Sequence, residues 1–166
     1  MLLVVLVGAA VGLINGVIIT KGKINPLIVT LGTMSIAGGL AYTVSNGVTV
    51  PFKNYEAGVL ADHFMPGIAW YVLVFIGIAV ATAALLRFTI FGRMIYAVGG
   101  NPEASRLAGI RTDAVIMGVY VLCGSVAAMA GVVVSSQLLA GSATVGSDAA
   151  LSSIAAVVLG GASLSG

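Results

Sequence analysis

Long apolar runs separated by short polar interruptions set the pattern of this chain. Continuous apolar stretches cover residues 2–20, 26–44, 67–86 and 114–134, and a shorter one covers 151–159. None alternates apolar with polar positions, as barrel strands must, so they read as helices that are apolar on every side. At 1.5 Å per residue, about 20 helical residues cross a hydrocarbon core about 30 Å thick. The four longer runs meet that length. The pattern predicts an all-α membrane protein: a polytopic transmembrane helix bundle with four spans, all within one transmembrane domain. Residues 151–159 give a fifth, partial or re-entrant segment that dissolves into GGASLSG.

Composition agrees and closes off other classes. Apolar residues make up 60% of the chain, charged residues 7%, and mean hydropathy is +1.17. A soluble domain carries about 25% charged residues, so a soluble fold would leave most of its surface without polar cover. Twenty-three glycines suit membrane helices that pack closely. The basic balance rests on a few loop residues, so the expected surroundings are a lipid bilayer and nucleic acid is not implied. The single cysteine, Cys123, lies inside an apolar run and reads as a small buried packing residue, with no disulfide framework or metal cluster. The first run lacks a basic leader and is too long and glycine-rich for a signal peptide, so it reads as a membrane helix.

Orientation follows from Lys and Arg. With loop 21–25 in the cytoplasm, Lys21 and Lys23 lie inside, 47–66 outside, 87–113 inside and 135–150 outside. Six of the seven basic residues then fall inside and only Lys53 outside. Trp70 and Tyr71 fall near the outer interface, where amphipathic rings are favoured.

Within the spans, small residues mark packing faces. Gly8, Gly12 and Gly16 recur every four residues in the first span, and Gly124 with Ala128 and Ala127 with Gly131 repeat the device in the fourth. Asn15 lies beside the first stripe. A polar amide at that depth needs a partner, either another helix or water in a pathway. The second span opens with Asn25-Pro26, a cap followed by a first-turn proline. Its middle holds Thr30, Gly32, Thr33, Ser35, Gly38 and Gly39, which predicts a broken or kinked helix over 30–39. Irregular backbone at that depth belongs where protein or a water-filled cavity satisfies it, so Asn15, Thr30, Thr33 and Ser35 are candidate pathway-lining residues.

The segment 87–113, RFTIFGRMIYAVGGNPEASRLAGIRTD, holds four of the seven basic residues. At its centre Asn101 can cap a helix beginning at Pro102, and Gly109 suits the left-handed position that ends it. Glu103 matches the positive end of that helix and Arg106 the negative end. Ala104, Leu107 and Ala108 form one narrow apolar edge. A helix of about seven residues is not stable alone in water, so it needs a docking surface, on its own bundle or on a partner.

Three stretches resemble one known family. YAVGGNPEASRLAGI looks like the cytoplasmic loop of the permease subunits of bacterial ABC importers for ribose, xylose, arabinose, galactose and related sugars. NPLIVTLGTMSIAGGLAY is similar to the family's segment ahead of its periplasmic loop, and AALSSIAAVVLGGASLSG to its run ahead of a glycine-rich turn. The resemblance implies that Pro102–Ala108 is a coupling helix seated on an ATPase subunit, with Asn101, Pro102, Glu103, Ala104, Arg106, Leu107, Ala108, Gly109 and Ile110 matching position by position. It also implies a second permease copy, a periplasmic solute-binding protein touching outer loops such as 47–66, and residence in the bacterial inner membrane. Family members are about twice this length, so the chain is expected to be a fragment.

No phosphate loop is present: Gly99-Gly100 lacks both the lysine and the preceding strand. ATP and magnesium are therefore expected on the partner ATPase, with no cofactor and no catalytic residues on this chain. His63, with Asp62 and Glu56, reads as a solvated outer-loop group, and Asp148 as a cap for the next helix or a contact for a binding protein. Other readings stay open: a permease for a branched-chain amino acid, nucleoside or autoinducer, or a non-transporting fragment with a scaffolding role. A secondary transporter would need ionisable residues inside the spans, and the four longer spans have none in their interiors.

Overall fold

The computed structural model describes residues 2–52, 63–65, 68–146 and 149–161. Lys53, Glu56, Asp62 and Asp148 lie outside the described residues. In chain order the elements are α1 (Leu2–Gly22), α2 (Pro26–Val44), β1 (Val50–Pro51), β2 (His63–Met65), β3 (Ile68–Ala69), α3 (Trp70–Phe88), α4 (Ile90–Gly100), α5 (Pro102–Leu107), α6 (Thr112–Leu138), β4 (Ala140–Gly141) and α7 (Ala149–Leu159). Four of these helices, α1, α2, α3 and α6, are long and apolar enough to cross a membrane. The predicted third span starts three residues late, at Trp70, and the fourth extends at both ends to 27 residues. At 1.5 Å per residue α6 is about 40 Å long and reaches beyond the hydrocarbon core. The eleven residues of α7 rise about 16 Å, roughly half of that thickness.

The centre of the bundle is the antiparallel pair α1–α6. Gly8 faces Gly124 and Ala128, Gly12 faces Tyr120 and Val121, and Gly16 faces Met117. Rising numbers in α1 thus meet falling numbers in α6. A methyl group on Gly8 would lie 2.5 Å from the Ala128 Cβ, and one on Gly12 would lie 2.8 Å from the Tyr120 carbonyl carbon. With no side chain between them, the two backbones approach closely, and packing in place of hydrophobic driving force holds helices together in lipid. The stripe Gly8-Gly12-Gly16 and its partner Gly124 therefore pack helix to helix. Gly131 does not: nothing lies within 4 Å of where its side chain would be. The two small-residue pairs of α6 fall on different faces, and α1 covers only the one containing Gly124.

Helix α2 corrects a second expectation. It runs unbroken from Pro26 to Val44, capped by the Asn25 side chain, which accepts from the Leu27 N–H at 2.9 Å. The hydroxyls of Thr30, Ser35 and Thr43 donate to the carbonyls of Pro26, Leu31 and Gly39 at 2.9, 3.0 and 2.8 Å. A carbonyl oxygen has two lone pairs, so it accepts a hydroxyl without giving up its helical N–H partner. The polar groups that predicted a break are satisfied inside the helix.

At one end of the bundle, β1 pairs antiparallel with β4, Val50 opposite Gly141 and Pro51 opposite Ala140. The Phe52 N–H also donates to the Leu139 carbonyl at 2.9 Å, and Leu139 ends α6 in the left-handed region at φ 51°. This ladder places the ends of α2 and α6 on one side of the bundle. β2 and β3 form a second, separate antiparallel pair.

Candidate functional site

The opposite, basic side of the bundle carries α3's end, α4, α5 and the start of α6. The segment read as a loop with one short helix holds two. Helix α4 is capped by Thr89, whose hydroxyl accepts from the Gly92 N–H at 3.0 Å. Its apolar residues Phe91, Met94, Ile95 and Val98 recur at helical spacing and turn inward, while Arg93 and Tyr96 stay exposed. Gly92 lets α4 press against the end of α3: a Cβ there would lie 2.6 Å from the Leu85 carbonyl oxygen. This pattern was available in the sequence, but only one charge marks the polar face, so the amphipathic helix was missed.

Asn101 joins α4 to α5. Its backbone N–H closes α4 on the Ala97 carbonyl at 3.1 Å, and its side chain accepts from the Ala104 N–H at 2.9 Å to open α5. One residue therefore ends one helix and starts the next. Pro102 occupies the first helical position, where a missing N–H costs nothing. At the other end the Ile110 N–H donates to the Ser105 carbonyl and the Gly109 N–H to the Arg106 carbonyl, both at 3.0 Å. With Gly109 at φ 85°, these bonds form a Schellman stop. Both ends of this six-residue helix are held by bonds within the segment.

The apolar edge does not fold back on the bundle. Leu107 is 88% exposed and Ala104 and Ala108 are exposed, while Ser105, only 5% exposed, faces inward. Glu103 and Arg106 also stand on the free surface. A short, rigidly capped helix thus presents a leucine, two alanines and one charge of each sign outward.

The predicted pathway residues divide. A cleft of about 330 Å³ opens between α1, α2 and α6, lined by Val11, Gly12, Asn15, Thr30, Thr33, Met34, Ala37, Tyr120, Cys123, Gly124 and Ala127. Asn15, Thr30 and Thr33 come together on it. Ser35 does not, because two residues along a helix turn it to another side of α2. Asn15 is 9% exposed, and its side-chain oxygen lies 2.6 Å from the Thr33 hydroxyl, which also contacts the Val29 carbonyl. The one hydroxyl proton serves one of these oxygens. With the Asn15 amide turned so that its nitrogen donates to Thr33, both contacts are satisfied. The amide is thus a cross-link between α1 and α2 in the wall of the cleft. Cys123 is not buried as expected; it is exposed on the α6 wall. Tyr120 and Met34 also line the cleft and were missed, since neither stands out from an apolar helix.

Residues 1–166 match the family model described as branched-chain amino acid transport system / permease component. The chain belongs to this permease family. The permease is similar to the L-arabinose ABC transporter permease protein AraH of Azospirillum brasilense, 41% identical over 98% of this chain and 48% of the relative. It is 40% identical to the ribose import permease protein RbsC of Bacillus subtilis, over 92% of this chain and 48% of that protein. To RbsC of Escherichia coli (strain K12) it is 38% identical, over 96% of this chain and 51% of that protein. The chain spans about half the length of the curated relatives it matches. No solved structure matches it.

Proposed function

We propose that this permease chain is the translocation part of an ATP-driven importer of a monosaccharide in the bacterial inner membrane, docking an ATPase subunit through α5. The observation that carries the reading is α5 itself, capped at both ends with Leu107 exposed at its outer edge. ATP and magnesium are held by the ATPase. Closure of the ATPase around ATP draws the docked helix with it, and the bundle responds by changing which side of its pathway is open. Such coupling requires the two bundle states to differ in free energy when the ATPase changes state, and a rigid helix transmits that difference where a slack loop does not. A second permease copy faces this one across the pathway, and a periplasmic solute-binding protein delivers sugar to the outer loops.

In this reading Asn15, Thr30 and Thr33 contribute to the pathway wall. The names of the relatives, ribose and L-arabinose permeases, favour a sugar. The family description favours a second reading, a branched-chain amino acid. Uptake of labelled ribose, L-arabinose and leucine separates the two when the intact permease is expressed with its ATPase and binding protein. A sugar is expected to accumulate and leucine is not. Glu103→Lys, which sets a cation at the positive end of α5, is expected to cut that uptake by about tenfold. Accumulation of leucine alone would exclude the sugar, and undiminished uptake by Glu103→Lys would remove α5 from the coupling.

A further inference from the structure

Helix α5 is joined to the bundle at both of its ends. The forward route runs through Ala108–Arg111 into α6. It contains Gly109 at φ 85° with nothing within 4 Å of its Cβ position, and the start of α6 at Arg111 has no side-chain cap bond. That route is a turn closed by the bonds of Gly109 and Ile110, with open space beside Gly109. The backward route runs through Asn101, which is bonded into both α4 and α5.

Helix α4 bears on the membrane helices at two places. Gly92 rests against the last carbonyls of α3, and the Phe91 ring fills the notch left by Gly118 in α6. A Cβ on Gly118 would lie 2.7 Å from the Phe91 Cζ and 3.0 Å from its Cε2. Gly118 stands six residues into α6, about 9 Å along the helix from its start. A push from Phe91 therefore acts on α6 about 9 Å above its inner end. Beyond this point α6 is bound to α1 along Gly8, Gly12 and Gly16, and the two helices form one side of the cleft. The cleft's other wall, α2, is joined to α1 by the Asn15–Thr33 contact and has no buried residue.

We propose that the seating of Phe91 in the Gly118 notch is the joint by which movement of α5 tilts the α1–α6 pair against α2, making both residues positioning residues for coupling. The proposal rests on the docking of an ATPase at α5. Tight seating matters because a ring bearing on a backbone transmits displacement with little loss, whereas a gap absorbs it. Gly118→Ala lifts the ring out of the notch and Phe91→Ala leaves the notch empty. Either change lets α5 move without carrying α6.

The test uses the intact permease in complex with its ATPase in proteoliposomes, reading ATPase content, ATP hydrolysis and solute uptake together. In Gly118→Ala and in Phe91→Ala the ATPase stays bound and hydrolyses ATP, while uptake per ATP falls by about tenfold. Combining Gly118→Ala with Phe91→Leu, a shorter knob for a shallower notch, restores the ratio to within about twofold of the unsubstituted complex. An unchanged ratio in both single variants overturns the joint. So does loss of the ATPase from both, which would mean that the contact only holds the fold together, and so does a double variant no better than the worse single one. If the unsubstituted permease binds no ATPase, docking at α5 fails first and the joint fails with it.

Discussion

Gly12→Leu is expected to lower the thermal unfolding midpoint of the permease in lipid nanodiscs by about 10 °C. The Cβ of any residue at this position meets the Tyr120 carbonyl carbon at 2.8 Å and the Val121 Cα at 3.0 Å. Both are backbone atoms of the facing helix and cannot swing aside. The helices must separate, and contact is lost along the whole seam from Gly8 to Gly16. Overpacking a core costs about 1–3 kcal/mol, and a clash with backbone belongs at the upper end. At about 3 °C per kcal/mol for a chain of this size, the shift is about 10 °C. The control is Gly32→Ala in α2, where nothing lies within 4 Å. It should cause no loss and can gain up to about 1 kcal/mol from better helix propensity. Equal losses in the two variants would contradict the packing assigned to α1 and α6.

Gly109→Val acts at the other end of the proposed mechanism. At φ 85° a β-branched side chain is strained by about 1–2 kcal/mol. The bonds from Gly109 and Ile110 that close α5 then compete with a more relaxed backbone. A six-residue helix has no reserve of its own to resist this. ATPase affinity should fall by about tenfold, since 1.4 kcal/mol of ordering moves into the cost of binding. The unfolding midpoint should fall by no more than about 3–6 °C, the strain at Gly109 alone, since a side chain there meets no neighbour. Gly109→Asn, which tolerates the left-handed region, should retain most of the affinity. A valine variant that binds as well as glycine would show that the stop at Gly109 does not shape the docked surface.

Local signals carried most of what the sequence disclosed. The four spans follow from apolar length, and the ends of α5 from Asn101, Pro102 and Gly109, because capping is settled by residues within one turn of each other. Features that depend on a distant partner were not legible. Gly124 and Gly131 belong to the same kind of motif, and only the arrival of α1 decides that one packs and the other stays open. The polar middle of α2 reads as a break if hydroxyls displace backbone bonds. It reads as continuous helix if they share carbonyls, as Thr30 and Ser35 do. Helix α4 owes its place to Gly92 on α3 and Phe91 on α6, contacts that its eleven residues do not announce. The β1–β4 pair is two residues long and joins positions about ninety apart, so no local pattern foretells it. In the cleft, Asn15 was conspicuous as an amide in lipid, whereas Tyr120 and Cys123 became part of the wall only through the packing of α6.

The central claim is that the free edge of α5 is a docking surface for an ATPase. Leu107→Asp tests it most directly, because Leu107 is 88% exposed and its replacement should leave the fold intact within about 0.5 kcal/mol. The measurement is a titration of the ATPase subunit onto the intact permease in nanodiscs, with the unfolding midpoint recorded alongside. A leucine seated in a groove is an interface anchor, so its loss with a charge in its place should weaken binding by about thirtyfold or more. Binding weakened to that extent at an unchanged midpoint is the result expected. An aspartate variant that binds the ATPase as tightly as the unsubstituted permease would contradict the claim.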